Sequence, residues 1–507
     1  MLSTQVLIVG AGPTGLVLAM RLARHGVPFR IIDKNGGPGQ ASRAVVVQAR
    51  TLEFYRQLGF ADEVVARGIK LEAAHLREGG EEVARISLKE LGEGLSPFPF
   101  ALSFPQDDHE RFLVGKLEAA GVSVEWGVEL EEFTQDEGRV RATLAKDGAR
   151  TVCEAAYLCG CDGAHSRVRQ GLGLDFPGGT YDQLFYVADA KTAGGFKEDL
   201  FGNLDARGFA LMFPVRSSGM QRLIGIVPAD LRSSPDLDFE DVRPSAEELL
   251  GVRVERVNWF STYHVHHRVA ARFRVGRAFI AGDAGHIHSP AGGQGMNTGI
   301  GDAVNLSWKL ADAIRGRADP SILDTYESER IAFARKLVDT TDRVFRGVVD
   351  QGRAGRFLRT WLVPHLMPLL AGFPAARRGF FNLVSQIRIS YRGSALSEGR
   401  AGGVGGGDRM PWVETAEGGN FAPLTRLDWR LQVHGAASPA MKDAAAALGL
   451  PLDAFAWSER ADRVGLKRDA AYLLRPDGHV ALASPDQDPR ALNAFAAKHG
   501  LAFGHAG

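Results

Sequence analysis

The order of hydrophobic and polar positions at the start of the chain predicts a β-α-β unit. The apolar run 6–9 has the β-branched content of a strand that is buried on both faces. The segment 10–15 reads GAGPTG, and the apolar residues after it recur at helical spacing until Gly26, which is placed to end a helix. A second apolar run, 29–32, predicts the next strand, and Asp33 follows it directly.

Two later segments have the same pattern as this opening unit. Residues 157–163 form an apolar run that ends in Asp-Gly, and residues 277–283 form another that ends in Gly-Asp. From Ile300 the apolar positions follow helical spacing until Gly316, which is placed to stop a helix. We therefore expect both segments to be strands of the first sheet, with a long helix after the second.

The remaining patterns predict a second sheet, a helical region and a terminal module. Segments such as 209–213 and 222–227 predict strands between residues 178 and 270, in a sheet inserted between two parts of the first domain. Residues 320–395 are mostly helical in pattern. The glycine-rich residues 401–407 predict a loop or linker ahead of the terminal module.

The terminal module contains the clearest hairpin signal. Its turn, 475–478, reads RPDG between two apolar runs, and Pro presets the φ angle of the turn while Gly accepts the left-handed position. The stretch 490–499 places Leu492, Phe495 and Ala496 on one helical face, which must be buried against something. The helical region 320–395 or another subunit is the expected partner surface.

Composition excludes several classes of function. The 507 residues exceed one ordinary core, so two or three domains are expected. The 60 Lys and Arg residues balance 60 Asp and Glu, which argues against a nucleic-acid or anionic-membrane partner. The 3 Cys exclude a disulfide framework and favour a reducing compartment. Residues 2–20 carry no charge but lack the basic residues of a signal peptide, so we expect a cytoplasmic protein without a membrane span.

The first glycine motif carries specific chemistry. In such a motif Gly10 allows the sharp turn, Gly12 lets a pyrophosphate approach the backbone, and Gly15 lets helix and strand pack closely. The helix N-terminus supplies free N–H groups for the phosphates, and Asp33 can accept hydrogen bonds from ribose hydroxyls. A purely structural turn is the alternative. The motif alone does not distinguish FAD from NAD.

The segment 281–297 favours a flavin. It contains a strand end, a Gly/Pro loop and the start of a helix. The carboxylate of Asp283 can bind the hydroxyls of a flexible polyol, and a glycine-rich helix N-terminus can stabilise negative charge on a flat heterocycle such as reduced flavin. A surface loop with incidental Gly and Pro is the alternative.

Together these motifs resemble the single-component FAD-dependent aromatic hydroxylases related to p-hydroxybenzoate hydroxylase. The similarity is greatest to the branch of phenol, hydroxyphenylpropionate and aromatic-polyketide hydroxylases. It covers the chain from residue 3 to about 345 and extends more weakly to the C-terminus. The motifs that carry it are GAGPTG, SRAVVVQARTLEFYRQLG (42–59), CDGAHSRVR (161–169) and GRAFIAGDAGHIHSPAGGQGMNTGIGDAVNLSWKLA (276–311).

The resemblance implies a set of cofactor-binding residues. These are Gly10, Gly12, Pro13, Thr14, Gly15, Asp33, Lys34, Arg43, Gln106, Asp162, Gly163, Gly282, Asp283, Pro290, Gly293, Gly295, Met296 and Asn297. Arg43 would lie near the FAD phosphates and the nicotinamide route. The Asp-Gly pair at 162 would serve both FAD and NADPH, and Asp283 would bind the ribityl chain.

The implied activity is that of a monooxygenase using NADPH or NADH and O2. A phenolic or polycyclic aromatic substrate would be hydroxylated through an FAD C4a-hydroperoxide, in a pocket lined by Phe213, Pro214 and His264. No catalytic residue is assigned, and no metal site is expected. Baeyer–Villiger oxidation or epoxidation stays open as an alternative. No two Trp residues are separated by one position, which disfavours a flavin halogenase, and a redox Cys pair, which a disulfide reductase needs, is missing.

The implied fold is α/β, with a Rossmann-like FAD-binding domain, an inserted β-sheet substrate domain and a C-terminal thioredoxin-like α/β domain. The predicted boundaries are 1–177 and 271–400 for the FAD-binding domain with its helical region, 178–270 for the inserted sheet, 401–414 for the linker and 415–507 for the terminal domain. The terminal domain has no Cys, so its expected role is packing, solubility or contact within a homo-oligomer. A chain ended near Gly407 is expected to lose solubility or oligomeric state, but any soluble fraction is expected to keep FAD and its reduction by NADPH, since every flavin motif lies before residue 300.

Overall fold

The structure is a computed structural model, and it describes most of the chain. The described residues are 2–39, 44–78, 81–89, 91–193, 198–204, 209–216, 219–232, 234, 236–289, 291–349, 373–415 and 418–504. Within these ranges no helix combines the length and the apolar character needed to cross a bilayer. Arg43 and Pro290 lie outside the described residues.

The strands, in chain order, are β1 (Leu2–Val9), β2 (Phe29–Asp33), β3 (Val46–Val47), β4 (Ile69–Lys70), β5 (Ala73–Glu78), β6 (Glu81–Ser87), β7 (Leu102–Ser103), β8 (Glu125–Trp126), β9 (Glu129–Gln135), β10 (Val140–Lys146), β11 (Ala149–Gly160), β12 (Gly178–Thr192), β13 (Asp199–Leu204), β14 (Phe209–Arg216), β15 (Met220–Ile226), β16 (Val254–Val269), β17 (Arg274–Val275), β18 (Ala278–Ile280), β19 (His286–Ile287), β20 (Glu398–Ala401), β21 (Val404–Gly405), β22 (Arg430–His434), β23 (Leu452–Phe455), β24 (Ala471–Leu474) and β25 (Val480–Ser484).

The helices are α1 (Pro13–Arg24), α2 (Ala49–Leu58), α3 (Ala61–Arg67), α4 (Gln106–Ala119), α5 (Arg167–Gly171), α6 (Phe239–Leu250), α7 (Gly295–Ile314), α8 (Asp324–Val349), α9 (Pro374–Val384), α10 (Pro439–Ala447), α11 (Glu459–Arg463) and α12 (Pro489–Lys498). Short 3-10 turns follow β18 and precede α7 and α8.

Sheet 1 holds the predicted β-α-β unit and the two later strands. Its order is β17-β18-β11-β1-β2-β8. The β9-β10 hairpin joins this sheet through β10, which pairs antiparallel with β11. The strands β18, β11, β1, β2 and β8 run parallel, with Leu158 opposite both Leu7 and Ala278. The carboxyl ends of these strands therefore meet at one edge, where ligands bind in open α/β sheets.

Sheet 2 is larger than the predicted insertion. Its order is β19-β16-β12-β15-β14-β13-β5-β6. The strands β5 and β6 come from within the segment predicted to be the first domain, and β5 pairs in parallel with β13, with Ala73 opposite Asp199. The segment 178–270 is therefore only part of this sheet. Helix α6 covers one face, where its Val242 and Leu249 pack with Tyr186 and Ala188 of β12.

The terminal module starts earlier than predicted, because the glycine-rich segment is not a linker. Strands β20 and β21 form a tight hairpin there, and β20 pairs in parallel with β25, so that Glu398 lies opposite Leu482. At Gly406 and Gly407 an added Cβ would overlap the backbone of Glu398 and Arg392. These glycines allow close packing of backbone in the sheet, and the prediction of a linker at 401–414 is wrong.

The predicted hairpin and the predicted apolar helix face of this module are both present in the structure. Its sheet has the order β21-β20-β25-β24-β22-β23, and β24 and β25 are joined by the predicted turn, with Gly478 at φ +81°. Helix α12 buries Leu492, Phe495 and Ala496. Within the segment 320–395, of which residues 350–372 lie outside the described residues, the turn contacts Glu329 of α8. It also reaches α1, α2 and α7.

Candidate cofactor and substrate site

Two glycines of the first motif are required by the packing of the chain itself. Gly10 follows β1 at φ +102°, and an added Cβ would overlap the carbonyl oxygen of Cys161. An added Cβ at Gly15 would overlap the carbonyl oxygen of Gly10. The turn therefore lies directly against the end of β11, with Pro13 as the first residue of α1.

Gly12 is different, because nothing in the described protein requires a glycine there. No protein atom lies within 4 Å of an added Cβ. Its φ of −72° and ψ of −178° are ordinary extended values that any residue adopts. The open space lies at the uncapped N-terminus of α1, where free N–H groups attract an anion. This opening fits the pyrophosphate of a dinucleotide.

Asp33, at the end of β2, holds the glycine loop. Its carboxylate accepts hydrogen bonds from the backbone N–H of Ala11 at 2.7 Å and of Asn35 at 2.8 Å. Each carboxylate oxygen has a second acceptor site, so Asp33 can also accept from a ribose hydroxyl. Lys34 is exposed beside it.

Asp162, just after β11, has one oxygen in use and one available. One carboxylate oxygen accepts from the backbone N–H of Arg167 at 2.7 Å and of Val168 at 3.2 Å, at the start of α5. The other is buried and has no partner among the described residues. Burial raises the pKa of the Asp162 carboxyl. Gly163 follows at φ +77°, a conformation that favours glycine.

The loop after β18 is tied to the first motif through Thr14. An added Cβ at Gly282 would lie 2.6 Å from the Thr14 hydroxyl, and one at Gly299 would overlap the same group. Thr14 therefore fits between the Gly282 turn and α7. The side chain of Asp283 is exposed at this edge of sheet 1.

The N-terminus of α7 is locked onto a neighbouring segment by Asn297. The Asn297 side-chain oxygen accepts from Gln48 N at 2.9 Å and from Thr51 Oγ1 at 2.7 Å, and its Nδ2 donates to the carbonyls of Val46 and Gly293. The side chain is fully buried and makes all of its hydrogen bonds within the protein. The predicted role of Asn297 in binding a cofactor is therefore limited to its backbone N–H.

Other predicted residues surround this helix start. An added Cβ at Gly293 would lie 3.0 Å from Val46, and Gly293 has φ +62°. Met296 packs against the main core. Gln106, at the start of α4, donates from Nε2 to Glu110 at 2.7 Å and from its backbone N to the carbonyl of Ala44 at 3.0 Å. It thus contacts the segment that follows Arg43.

His288 is a candidate that is not among the cofactor-binding residues predicted from the sequence. Its Nδ1 donates to the Ser289 carbonyl at 2.8 Å, and its buried Nε2 has no partner among the described residues. Burial lowers the pKa of His288 to about 4, so the ring is neutral at pH 7 and Nε2 is an acceptor. An added Cβ on Gly295 would be 3.7 Å from this nitrogen, which places it at the α7 N-terminus.

One face of sheet 2 is directed at the N-terminus of α7. Phe213 on β14 packs with Val45 and Val46, next to the Gly293 turn. Arg222, its cross-strand partner, donates to Asp189 at 2.7 and 2.9 Å and to the Ala44 carbonyl at 3.3 Å. Sequence reasoning missed this buried pair, because only the fold brings β12, β15 and residue 44 together.

The predicted substrate residue His264 lies on the face of sheet 2 that α6 covers. In β16, Tyr263 is opposite Phe185 and His264 is opposite Leu184. Leu184 packs with the α6 cluster, whereas Phe185 and Tyr263 pack together on the other face. His264 is therefore exposed on the α6 side, and Tyr263 replaces it as a candidate. Pro214 is buried, and its carbonyl accepts a hydrogen bond from Ser103.

Comparison with known proteins identifies the family. The family described as "FAD binding domain" matches residues 3–341. The chain belongs to this FAD-binding family. It is 37% identical over 415 residues to 6-methylpretetramide 4-monooxygenase of Streptomyces rimosus, covering 79% of this chain and 72% of that protein. It is 31% identical to pentachlorophenol 4-monooxygenase of Sphingobium chlorophenolicum, covering 81% and 76%.

Solved structures of similar proteins have the same fold as this chain. The flavin-dependent monooxygenase PieE, in complex with FAD and substrate, superposes with a TM-score of 0.82 at 25% identity, covering 98% of this chain and 99% of that one. OxyS anhydrotetracycline hydroxylase from Streptomyces rimosus gives 0.77 at 29% identity, covering 99% and 100%. The resemblance, the α/β class with an FAD-binding fold, and the assignment as an FAD-dependent monooxygenase are confirmed. The assignment of individual residues to this FAD enzyme stays a prediction.

Proposed function

We propose that this FAD monooxygenase hydroxylates a fused polycyclic aromatic of the polyketide type, with NADPH or NADH as reductant. The proposal rests on the width of the face of sheet 2 that is directed at the predicted flavin region, a face that is apolar apart from the buried Arg222–Asp189 pair. Half-buried side chains of this face lie on three strands, β14, β15 and β16, and they are Leu211, Phe213, Ile226, Trp259 and Tyr263.

The face is wide enough for several fused rings. The strands β14, β15, β12 and β16 are consecutive neighbours, so three strand spacings give about 14 Å across the sheet. One aromatic ring covers less than half of this width. Among the relatives, the width favours substrates such as those named in 6-methylpretetramide 4-monooxygenase and OxyS anhydrotetracycline hydroxylase over pentachlorophenol.

The protein's own part in the reaction is to bind, orient and exclude water. When bound, FAD would supply the redox chemistry, which is hydride acceptance from the nicotinamide and transfer of one oxygen atom of O2 to the substrate ring. Gly12 and the α1 N-terminus would receive the pyrophosphate, and Asp283 the ribityl chain. The α7 N-terminus would stabilise negative charge on the reduced ring system. The apolar face of sheet 2 would hold the substrate and keep water away.

A panel of substrates tests the proposed class. NADPH oxidation and product formation are measured for phenols of one ring and for fused aromatics of two to four rings. We expect coupled product formation to increase with ring number. A marked preference for single-ring phenols would contradict the polycyclic assignment while leaving the monooxygenase intact.

A pair of neighbouring substitutions tests the substrate face. Tyr263→Ala removes an aromatic side chain from the flavin side, and His264→Ala changes the next residue on the α6 side. We expect Tyr263→Ala to raise KM by about tenfold to a hundredfold, since an aromatic contact of this size contributes roughly 1.5–3 kcal/mol. Uncoupled NADPH oxidation should rise with it, and His264→Ala should match the wild type. Equal effects of the two substitutions would exclude Tyr263 as a substrate contact.

Asp162 is proposed to serve the flavin and nicotinamide side of the site. Asp162→Asn keeps an oxygen that can accept from the N–H groups of Arg167 and Val168, but it removes the charge. We expect a folded protein with normal FAD content whose reduction by NADPH, measured by stopped flow, is about tenfold slower. Asp162→Ala should also lower the melting temperature. An unchanged reduction rate in Asp162→Asn would contradict this role.

A further inference from the structure

A fully buried carboxylate on α7 holds the loop that carries Asp283. Asp302 accepts hydrogen bonds at Oδ2 from the Gly282 backbone N at 2.9 Å and from His286 Nε2 at 2.7 Å. At Oδ1 it accepts from Arg330 Nε at 2.6 Å. Although burial opposes it, the charge of Arg330 and the hydrogen bond from His286 lower the pKa of Asp302, so the carboxylate is ionised.

A buried ion pair of this kind contributes little net stability to the fold, because the cost of desolvating both charges offsets most of their attraction. Its geometry, however, is specific. Gly282 has φ +62° and directly precedes Asp283, so the hydrogen bond to its N–H anchors the backbone immediately before that side chain. Asp302 reaches this amide from the helix whose N-terminus is also part of the predicted flavin site.

Besides Asp302, Arg330 contacts two further groups. Its Nη2 donates to the Thr298 carbonyl in the first turns of α7 at 3.1 Å, and its Nη1 donates to the Tyr391 hydroxyl at 2.8 Å. It is 1% exposed. One guanidinium therefore connects the Gly282 loop, the start of α7 and the segment that leads into the terminal module.

Tyr391 completes a continuous path to the terminal module. Its ring centre is 4.5 Å from that of His479, and the guanidinium carbon of Arg475 is 5.1 Å from the ring centre. Its backbone N–H donates to the Gly407 carbonyl at 2.8 Å. The turn of the module is thus linked through buried groups to the loop at Gly282.

We propose that Asp302 is a positioning residue that orients Asp283 for the FAD ribityl chain, and that the docked turn 475–479 supports it through Tyr391 and Arg330. The proposal rests on the placement of FAD at Asp283. It gives the terminal module, which has no Cys, a function in cofactor binding.

The test compares two isosteric substitutions on one helix in the full-length protein. Asp302→Asn removes the charge that faces Gly282. Asp312→Asn removes a similarly buried charge that accepts from Trp429 Nε1 of the module at 3.0 Å and pairs with Arg317 at 2.7 Å. The control lies ten residues further along α7, about 15 Å away. The dissociation constant of FAD is measured by fluorescence, and hydrogen exchange is followed in the segment 279–288 of the FAD-free protein.

We expect Asp302→Asn to raise the FAD dissociation constant about tenfold or more, because a charged hydrogen-bonding centre is lost. Exchange in the segment 279–288 should accelerate. Asp312→Asn should keep the dissociation constant within about twofold, even where both variants lose thermal stability. Equal loss of FAD affinity in the two variants would show that Asp302 acts only through stability and would overturn the proposal.

Tyr391→Phe provides a milder second variant, which also decides the matter if Asp302→Asn does not fold. It keeps the ring against His479 and removes only the hydroxyl that Arg330 contacts. We expect about threefold weaker FAD binding and faster exchange in the segment 279–288. No change in either quantity would break the link to the module. A wild type that binds no FAD would instead contradict the proposed function, and the exchange data would still test whether Asp302 holds Gly282.

Discussion

A chain that ends at Ser397, without the terminal module, is expected to yield no folded FAD-binding protein. Glu329 and Lys309 are fully buried in α8 and α7, and Arg475 of the module donates to both oxygens of Glu329, at 2.7 and 3.0 Å. Although burial opposes it, the charges of Arg475 and Lys309 lower the pKa of Glu329 to about 2. Removing one partner of such a buried network typically costs about 3–5 kcal/mol.

The backbone of the same turn satisfies further buried groups. Arg21 donates to the Pro476 carbonyl at 3.2 Å, and Arg50 donates to the Asp477 carbonyl at 2.7 Å. Trp308 Nε1 donates to the Asp477 carboxylate at 3.2 Å. Each donor left without its acceptor costs about 1–3 kcal/mol. The total is comparable with the whole stability of an ordinary domain, about 5–15 kcal/mol.

Circular dichroism, solubility and flavin absorbance of the shortened chain measure this outcome. Arg475→Met isolates the buried charge, and Arg430→Met is its matched control, since Arg430 pairs with Asp453 and Asp428 inside the module. Arg475→Met should lower the melting temperature far more than Arg430→Met and should release FAD. A soluble shortened chain with one FAD per molecule would show that the module is dispensable, as the position of the flavin motifs alone had suggested.

Substitution of two glycines in the same motif is expected to have different effects, loss of FAD binding at one and loss of folding at the other. Gly12→Val should keep the fold and abolish FAD content, because the added atoms enter space that no protein atom occupies within 4 Å. Gly15→Val should prevent folding, because its Cβ would overlap the Gly10 carbonyl oxygen inside the α1–β1 contact.

The comparison needs three measurements on each variant: flavin absorbance per protein, far-ultraviolet circular dichroism and melting temperature. Gly12→Val should resemble the wild-type protein without FAD in the last two. Full FAD occupancy in Gly12→Val would contradict the placement of the pyrophosphate. Loss of fold in Gly12→Val would show that this glycine has a packing role that its surroundings do not reveal.

The parts of the fold that sequence predicted correctly are those encoded by local pattern. The strands 6–9 and 29–32, the helix between them and the hairpin at 475–478 follow from apolar spacing and from Gly and Pro placed at turns. The strands β5 and β6 were missed in sheet 2 because β5 pairs with β13, more than a hundred residues further along the chain. The segment 401–407 was read as a linker because its glycines serve close packing rather than mobility.

The candidate site shows the same division. Gly12, Asp33 and Asp162 could be selected from motifs, since their roles depend on the residues next to them in the chain. His264 and Tyr263 are adjacent, and only the register of β16 decides which of them is directed at the flavin side. Partners of Asp302 and Arg222 come from distant segments, and a lone charged residue within an apolar run gives no indication of its partner.

The transfer of oxygen from O2 is the central claim, and isotope labelling tests it most directly. The FAD-loaded enzyme is given NADPH, a fused polycyclic phenol that is turned over, and O2 labelled with a heavy oxygen isotope, and the product is weighed by mass spectrometry. We predict that each product molecule carries one labelled oxygen atom and that one NADPH is consumed for each. Product oxygen that comes from water, or label recovered only as peroxide, would contradict the assignment as a monooxygenase.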